Sequence, residues 1–396
     1  MKRQIQGSRA VAETVALCRP EVICAYPITP QTHIVEALSE LVKTGALDRC
    51  AFINVESEFA ALSVAIGASA AGARAYTATA SQGLLYMAEA LYNASGLGLP
   101  IVMTLGTRAI GAPINIWNDH SDAMALRDAG WVQLFAESNQ EAADLHVLAF
   151  RLAEEVSVPV MVCVDGFILT HAFEPVDLPA QRDVDALLPR FEPRESLDPA
   201  EPLTIGALVG PEAFTEVKVL AHERLLRALD RIPLIARELS KAFGRATAGL
   251  VRGYRVEDAE VVVVAMGSVN GTIQEVVDGM RADGHRVGSL SVCTFRPFPF
   301  AAVREALGRA RQVVVVEKNL AVGMGGVLAT DVREALGGGA PVHTVIAGLG
   351  GRAITRVALR KMLDAAISGA LPGLNFLDLD LDRPALERAR AEELQP

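Results

Sequence analysis

Strand-length runs in which nearly every residue is apolar recur through the first half of the chain: EVICAY (21–26), CAFINV (50–55), ARAYTATA (73–80), LPIVMTLG (99–106), WVQLFA (131–136) and VPVMVCVD (158–165). An unbroken run has no polar face, so a strand built from it must be covered on both sides. That is the condition of a parallel sheet lying between helices. The segments between most of the runs have helical spacing. The first puts Ile34, Val35, Leu38, Leu41 and Val42 on one face, and another opens with Ser138 and Glu141 at the spacing of a capping box. Strand and helix alternate, which predicts an α/β fold with right-handed crossovers.

The pattern changes near residue 175. A proline-rich, charged stretch, FEPVDLPAQRDVDALLPRFEPRESLDPAEP, leads into a long helical segment over 216–245. A second alternating set follows: AEVVVVAMG (259–267), a helix over about 270–283, RVGSLSVCTF (286–295), RQVVVVEKN (311–319) and PVHTVIAGL (341–349). The chain therefore divides into a parallel-sheet domain over 1–175, a wrapping or linker segment over 176–257, and a last part over 258–396. That last part holds a smaller α/β domain and a C-terminal tail.

With 396 residues, 51% of them apolar and 21% charged, the chain is globular and long enough for more than one core. Every apolar run is broken before the roughly 18 residues of a membrane helix. The opening MKRQIQGSRAVAETVALC lacks the apolar core and cleavage site of a secretory leader, so a cytoplasmic location and no membrane partner are expected. A net charge of −10 argues against nucleic acid as a partner. The five cysteines (Cys18, Cys24, Cys50, Cys163 and Cys293) form no C-x-x-C pair, so this chain is expected to hold neither structural zinc nor an iron–sulfur cluster.

Polar residues gather where strands hand over to helices, the edge at which open α/β sheets bind ligands. In YPITPQT, Thr29 stands before a proline as an N-cap, and the same turn presents a hydroxyl and free N–H groups. NVESEFAALSVAIGASAAG carries Glu56 and Glu58 at the mouth of a small-residue helix, where acids also serve the helix dipole alone. TATASQGL sets Ser81, Gln82 and Gly83 in the next turn, a polar turn with a glycine. Arg108 follows a fourth run and opens a long loop containing Asn115, Asn118, Asp119, His120 and Asp122. A guanidinium there suits a substrate carboxylate as well as a surface ion pair, and Asp119, His120 and Asp122 have the chemistry of metal ligands but no second cluster to complete a shell; no metal is expected. Gly267 and Gly271 fall short of a dinucleotide fingerprint, and the glycines of AVGMGGVLA suit close packing.

YPITPQT, ESEFAA, TATASQGLLYMAEALY and NIWNDHSDAM, in this order and spacing, resemble the α subunit of pyruvate:ferredoxin oxidoreductases and related 2-oxoacid:ferredoxin oxidoreductases. TFRPFP and VVVVEKN fit the second domain of the same subunit. The resemblance implies a thiamine diphosphate enzyme divided over several chains. Its pyrimidine-binding parallel-sheet domain comes first, and the smaller domain is similar to the carboxyl-terminal domain of transketolases. Glu58 matches the acid whose hydrogen bond to the pyrimidine favours the imino tautomer that deprotonates the thiazolium. By the same match Thr29 and Arg108 contact the 2-oxoacid, the arginine holding its carboxylate, and Pro27, Ile28, Ser81 and Gln82 line the cofactor.

The implied reaction is oxidative decarboxylation of pyruvate with coenzyme A to acetyl-CoA and CO2, with electrons passing to ferredoxin. The chain has no G-D-G with a downstream Asn for Mg2+ and diphosphate, and no cluster-binding cysteines. The resemblance assigns the first to a β subunit and the iron–sulfur clusters to a ferredoxin-like δ subunit, with a γ subunit completing the assembly. NIWNDHSD favours pyruvate; the same chemistry on 2-oxoisovalerate, 2-oxoglutarate or phenylglyoxylate is the alternative. A lipoamide-linked or ketol-transferring thiamine enzyme would need no iron, and a purely structural subunit would not need Glu58.

Overall fold

In chain order the strands are β1 (Arg3–Gln6), β2 (Val22–Ala25), β3 (Ala51–Asn54), β4 (Ala75–Thr79), β5 (Ile101–Thr107), β6 (Val132–Phe135), β7 (Val160–Asp165), β8 (Phe173–Val176), β9 (Val251–Tyr254), β10 (Val261–Ala265), β11 (Val287–Val292), β12 (Thr294–Arg296), β13 (Gln312–Glu317), β14 (Val342–Ile346) and β15 (Leu374–Phe376). The structure, a computed structural model, describes residues 2–380 together with Asp382, Glu387, Arg388 and Arg390. The tail expected at the end of the chain lies largely outside these residues.

Each of the six early runs forms a strand of one seven-stranded sheet, ordered β12-β6-β7-β5-β4-β2-β3. The central strands β4, β5 and β7 are buried at every residue, as unbroken apolar runs require, whereas edge strand β3 is half open. All neighbours are parallel except β12, which pairs antiparallel with β6. The second sheet, β15-β14-β13-β10-β11-β9, is parallel except where β9 runs antiparallel to β11. Both exceptions cross the expected boundaries: β9 lies in the stretch read as linker, and β12 leaves the second set to complete the first sheet.

The helix Thr32–Lys43 buries Ile34, Val35 and Leu38, with Leu41 and Val42 packed beside them. Its start corrects the reading of Thr29 as an N-cap. The Gln31 N–H donates to Ile28 O at 2.9 Å, closing a turn that delays the helix, and Gln31 takes the cap position without a side-chain capping bond, its Nε2 donating to Tyr26 O at 2.8 Å. At the helix Asn139–Val156, Ser138 accepts from the Glu141 N–H at 3.2 Å, but the Glu141 carboxylate accepts from Glu137 N instead of Ser138 N, so only half of the capping box forms. The 30-residue helix Phe214–Phe243 lays Ala228, Ile232, Ile235, Ala236 and Leu239 into the first core, and Arg245 beyond it pairs with the buried Asp144.

Candidate active site

The carboxyl ends of β2 to β5 carry the loops that were singled out in the sequence. Ser57 caps the helix Glu58–Ala70, accepting from the Ala60 N–H at 3.2 Å, and this sets Glu58 at the first helical position. Of the two acids in ESEFAA, Glu56 is exposed and Glu58 is only 8% exposed. The Glu58 carboxyl has no hydrogen-bond or ion-pair partner among the described residues. Gly83 presses against it: a Cβ there would lie 2.7 Å from Glu58 Oε1 and 2.5 Å from Thr79 Oγ1. Only glycine lets the two loops approach so closely.

Arg108 follows β5 and is buried. Its Nε donates to Asn115 O at 3.0 Å and its Nη1 to Thr29 O at 2.9 Å, so the loop and the opening turn are drawn together around one guanidinium. Burial lowers the Arg108 pKa from its usual value and the nearby Asp122 opposes this. Thr29 and Pro27 are exposed at the rim and Ile28 is half-buried. Asp122 ties the floor: it accepts from Ser81 N at 2.8 Å and from Arg108 N at 3.0 Å, joining the ends of neighbouring strands β4 and β5. Burial pushes its pKa up to about 8 although three backbone N–H groups oppose the rise. Ser81, at φ 50°, is wholly buried and its hydroxyl donates to Ala109 O at 2.6 Å. The side chain is thus a strut within the wall, in the turn that the resemblance assigns to the cofactor. Gln82 is half-buried beside Gly111.

The three residues with the chemistry of metal ligands diverge. Asp119 accepts from Ser121 N at 2.9 Å and from Gly350 N at 3.2 Å, Asp122 faces β4 and β5, and His120 Nε2 lies 2.8 Å from Asp165 Oδ1. Among the described residues no group of His, Cys, Asp and Glu could hold a metal ion. Asp165, the last residue of β7, belongs to a buried cluster between the two sheets. Its Oδ2 accepts from Lys318 Nζ at 2.6 Å and from Ser268 N at 3.0 Å. Burial alone would raise the Asp165 pKa, but Lys318 and His120 more than offset it and hold the carboxyl well below its usual value. Gly267 serves this contact, since a Cβ there would lie 3.0 Å from both carboxylate oxygens. Sequence reasoning missed Asp165 and Lys318 as a pair; the available signal was a charge closing each of two buried apolar runs, VPVMVCVD and RQVVVVEKN.

A parallel sheet with an unpartnered buried acid and an arginine at its carboxyl edge has the form of a cofactor-binding α/β enzyme domain. Two family models cover most of the chain: pyruvate flavodoxin/ferredoxin oxidoreductase, thiamine diphosphate-binding, over residues 13–239, and pyruvate:ferredoxin oxidoreductase core domain II over 259–358. The chain belongs to the pyruvate:ferredoxin oxidoreductase family. It is 47% identical to the pyruvate synthase subunit PorA of Methanosarcina barkeri, covering 95% of this chain and 96% of the relative. It is 40% identical to the ketoisovalerate oxidoreductase subunit VorA of Pyrococcus abyssi, over 90% of this chain and 91% of the relative. Its fold is similar to that of a 2-oxoglutarate:ferredoxin oxidoreductase from Magnetococcus marinus solved with 2-oxoglutarate, coenzyme A and succinyl-CoA bound, with TM-score 0.70 at 21% identity. That match covers 92% of this chain and 65% of the other. A split-gene transketolase, an inactive β4 tetramer, shares the fold at TM-score 0.55 and 15% identity, over 92% of this chain and 99% of that one.

Proposed function

We propose that this chain is the α subunit of a cytoplasmic, multi-subunit 2-oxoacid:ferredoxin oxidoreductase that converts pyruvate and coenzyme A to acetyl-CoA and CO2. The observation that carries the reading is Glu58, a residue 8% exposed whose carboxyl has no partner among the described residues, at the ligand edge of the sheet. A carboxyl at the ligand edge that meets no partner within its own chain is free to take one from outside it, and an aminopyrimidine nitrogen has the matching hydrogen-bonding chemistry. Thiamine diphosphate, when bound, supplies the electron sink that decarboxylation of a 2-oxoacid requires.

Glu58 holds the proton at the pyrimidine, and the Pro27–Ile28 turn and Gln82 line that side of the cleft. Arg108 uses one Nε and one Nη1 hydrogen on backbone carbonyls, and its Nη2 has no partner among the described residues, which leaves donors for the substrate carboxylate. Thr29 stands at the rim beside it. A β subunit supplies Mg2+ and diphosphate binding, a ferredoxin-like δ subunit holds the iron–sulfur clusters that pass electrons to the ferredoxin acceptor, and a γ subunit completes the assembly. The relationship to a ketoisovalerate oxidoreductase subunit supports 2-oxoisovalerate as the second substrate reading.

The test is anaerobic purification of the native complex through this chain, then coenzyme A-dependent viologen reduction with a panel of 2-oxoacids, with iron and thiamine diphosphate assayed in the same sample. Fastest turnover with pyruvate, with both components present, is expected. Fastest turnover with 2-oxoisovalerate moves the assignment to the second reading, and a complex without iron or without oxoacid-dependent reduction overturns both.

A further inference from the structure

Lys318 belongs to the second domain, yet its bonds reach the loop that carries Arg108. It directly follows β13, is 3% exposed, and gives its ammonium to three acceptors: Asp165 Oδ2 at 2.6 Å, Asn118 Oδ1 at 3.0 Å and Ser268 Oγ at 3.1 Å. Its own carbonyl accepts from the His120 N–H at 2.7 Å. One residue of the second domain thus grips the loop 108–120 at two points, Asn118 by its side chain and His120 by its backbone. Asn118 passes the constraint on, because its Nδ2 donates to Thr107 Oγ1 at 2.8 Å and to Thr107 O at 3.2 Å, next to Arg108.

A second contact acts on the same loop. Asn115 Nδ2 donates to Gly350 O at 3.1 Å, and Asn115 O is the carbonyl that receives Arg108 Nε. Gly350 and Gly351 are at φ 58° and 84°, and a Cβ on either would come within 2.5 Å of Asn115 or Trp117. The loop is therefore moulded against the second domain and not only anchored in the first. The partner sets explain why a lysine stands at 318. A compact ammonium with three donors matches three converging oxygens, and a neutral residue would leave Asp165 buried without that counter-charge.

We infer that Lys318, acting through Asn118, is a positioning residue that fixes Arg108 for the 2-oxoacid carboxylate, so that the second domain sets substrate affinity without touching the substrate. This rests on the reading of Arg108 given above. A carboxylate is common to every 2-oxoacid, so a misplaced Arg108 weakens all of them alike and leaves coenzyme A binding untouched. Substrate affinity falls while the chemistry of the bound complex persists.

The test is a double-mutant cycle in the complete complex with Asn118→Ala, Lys318→Met and both together. Expected is an about tenfold rise in KM for pyruvate and for 2-oxoisovalerate by the same factor, kcat within about twofold, and an unchanged KM for coenzyme A. The double variant is no worse than Lys318→Met alone, because both changes cut one path. Unchanged KM, a fall confined to kcat, or multiplicative effects would overturn the inference. If Lys318→Met fails to assemble, Asn118→Ala decides by the same readouts. Inactivity of the unmutated complex counts against the reading of Arg108. In that case amide exchange over 108–118 decides the coupling: faster exchange confined to this loop in Asn118→Ala supports it, and unchanged protection overturns it.

Discussion

Glu58 and Asp165 are both buried carboxylates at the carboxyl edge of the same sheet, and they are treated in opposite ways. Asp165 is met by an ammonium, an imidazole, a hydroxyl and a backbone N–H, all from the chain itself. Glu58 meets the backbone of Gly83 and no polar partner among the described residues. Position in the fold is common to the two; the filling of their hydrogen-bonding capacity is what differs. A saturated group has its free energy locked into the folded chain, whereas an unsaturated one is available to a ligand.

The contrast is sharpest if stability and activity respond separately. Glu58→Gln is expected to cut turnover of the complex by about a hundredfold to ten-thousandfold while thermal melting of the chain barely moves, since no bond within the chain is lost. A large drop in melting temperature would show that Glu58 is structural after all. Asp165→Asn should do the reverse in kind, destabilising the chain by about 3–5 kcal/mol in denaturant unfolding because Lys318 is left buried without its counter-charge. Gly83→Ala tests the approach of the two loops: the added methyl displaces Glu58 or Thr79, and a stability loss of about 1–3 kcal/mol with reduced turnover is expected.

The smallest effect concerns His146, a buried group filled by neutral partners only, Thr104 Oγ1 and Ala142 O at 2.6 Å each. Burial pushes its pKa down to about 4 against the opposing hydrogen bond to Ala142 O. The unfolded chain then binds more protons between pH 4 and the ordinary histidine range, so stability falls as pH falls through that window. Between pH 7 and pH 6 this group accounts for about 0.5–1 kcal/mol, and His146→Gln should flatten that part of a stability–pH profile.

The early apolar runs of the first domain were legible because burial on both faces leaves few polar residues in a strand, and every one became a strand of the first sheet. The loops bearing Thr29, Glu58, Ser81 and Arg108 were legible for the same reason, as polar interruptions at strand ends. What failed was local detail and distant pairing. The proline-rich turn at 27–31 absorbs the residues that a capping rule assigns to the helix, and the strands β1, β8 and β9 (RQIQ, FEPV and VRGY) carry no apolar run. Asp165 and Lys318 stand 153 positions apart, and nothing in either neighbourhood names the other. TATASQGL read by itself as no more than a polar turn with a glycine, and only the packed structure reveals Ala109 O as the acceptor of the Ser81 hydroxyl.

The crossing of β12 has a consequence for how this molecule can be taken apart. Thr294–Arg296 lies antiparallel on β6 and covers the outer edge of the first sheet. A fragment ended at residue 257 would leave β6 with a row of unsatisfied backbone groups, the kind of edge that recruits other chains. During synthesis the same edge stays uncovered until residue 296 has been added. The boundary read from the sequence therefore cuts through a sheet that the whole chain closes with its own β12.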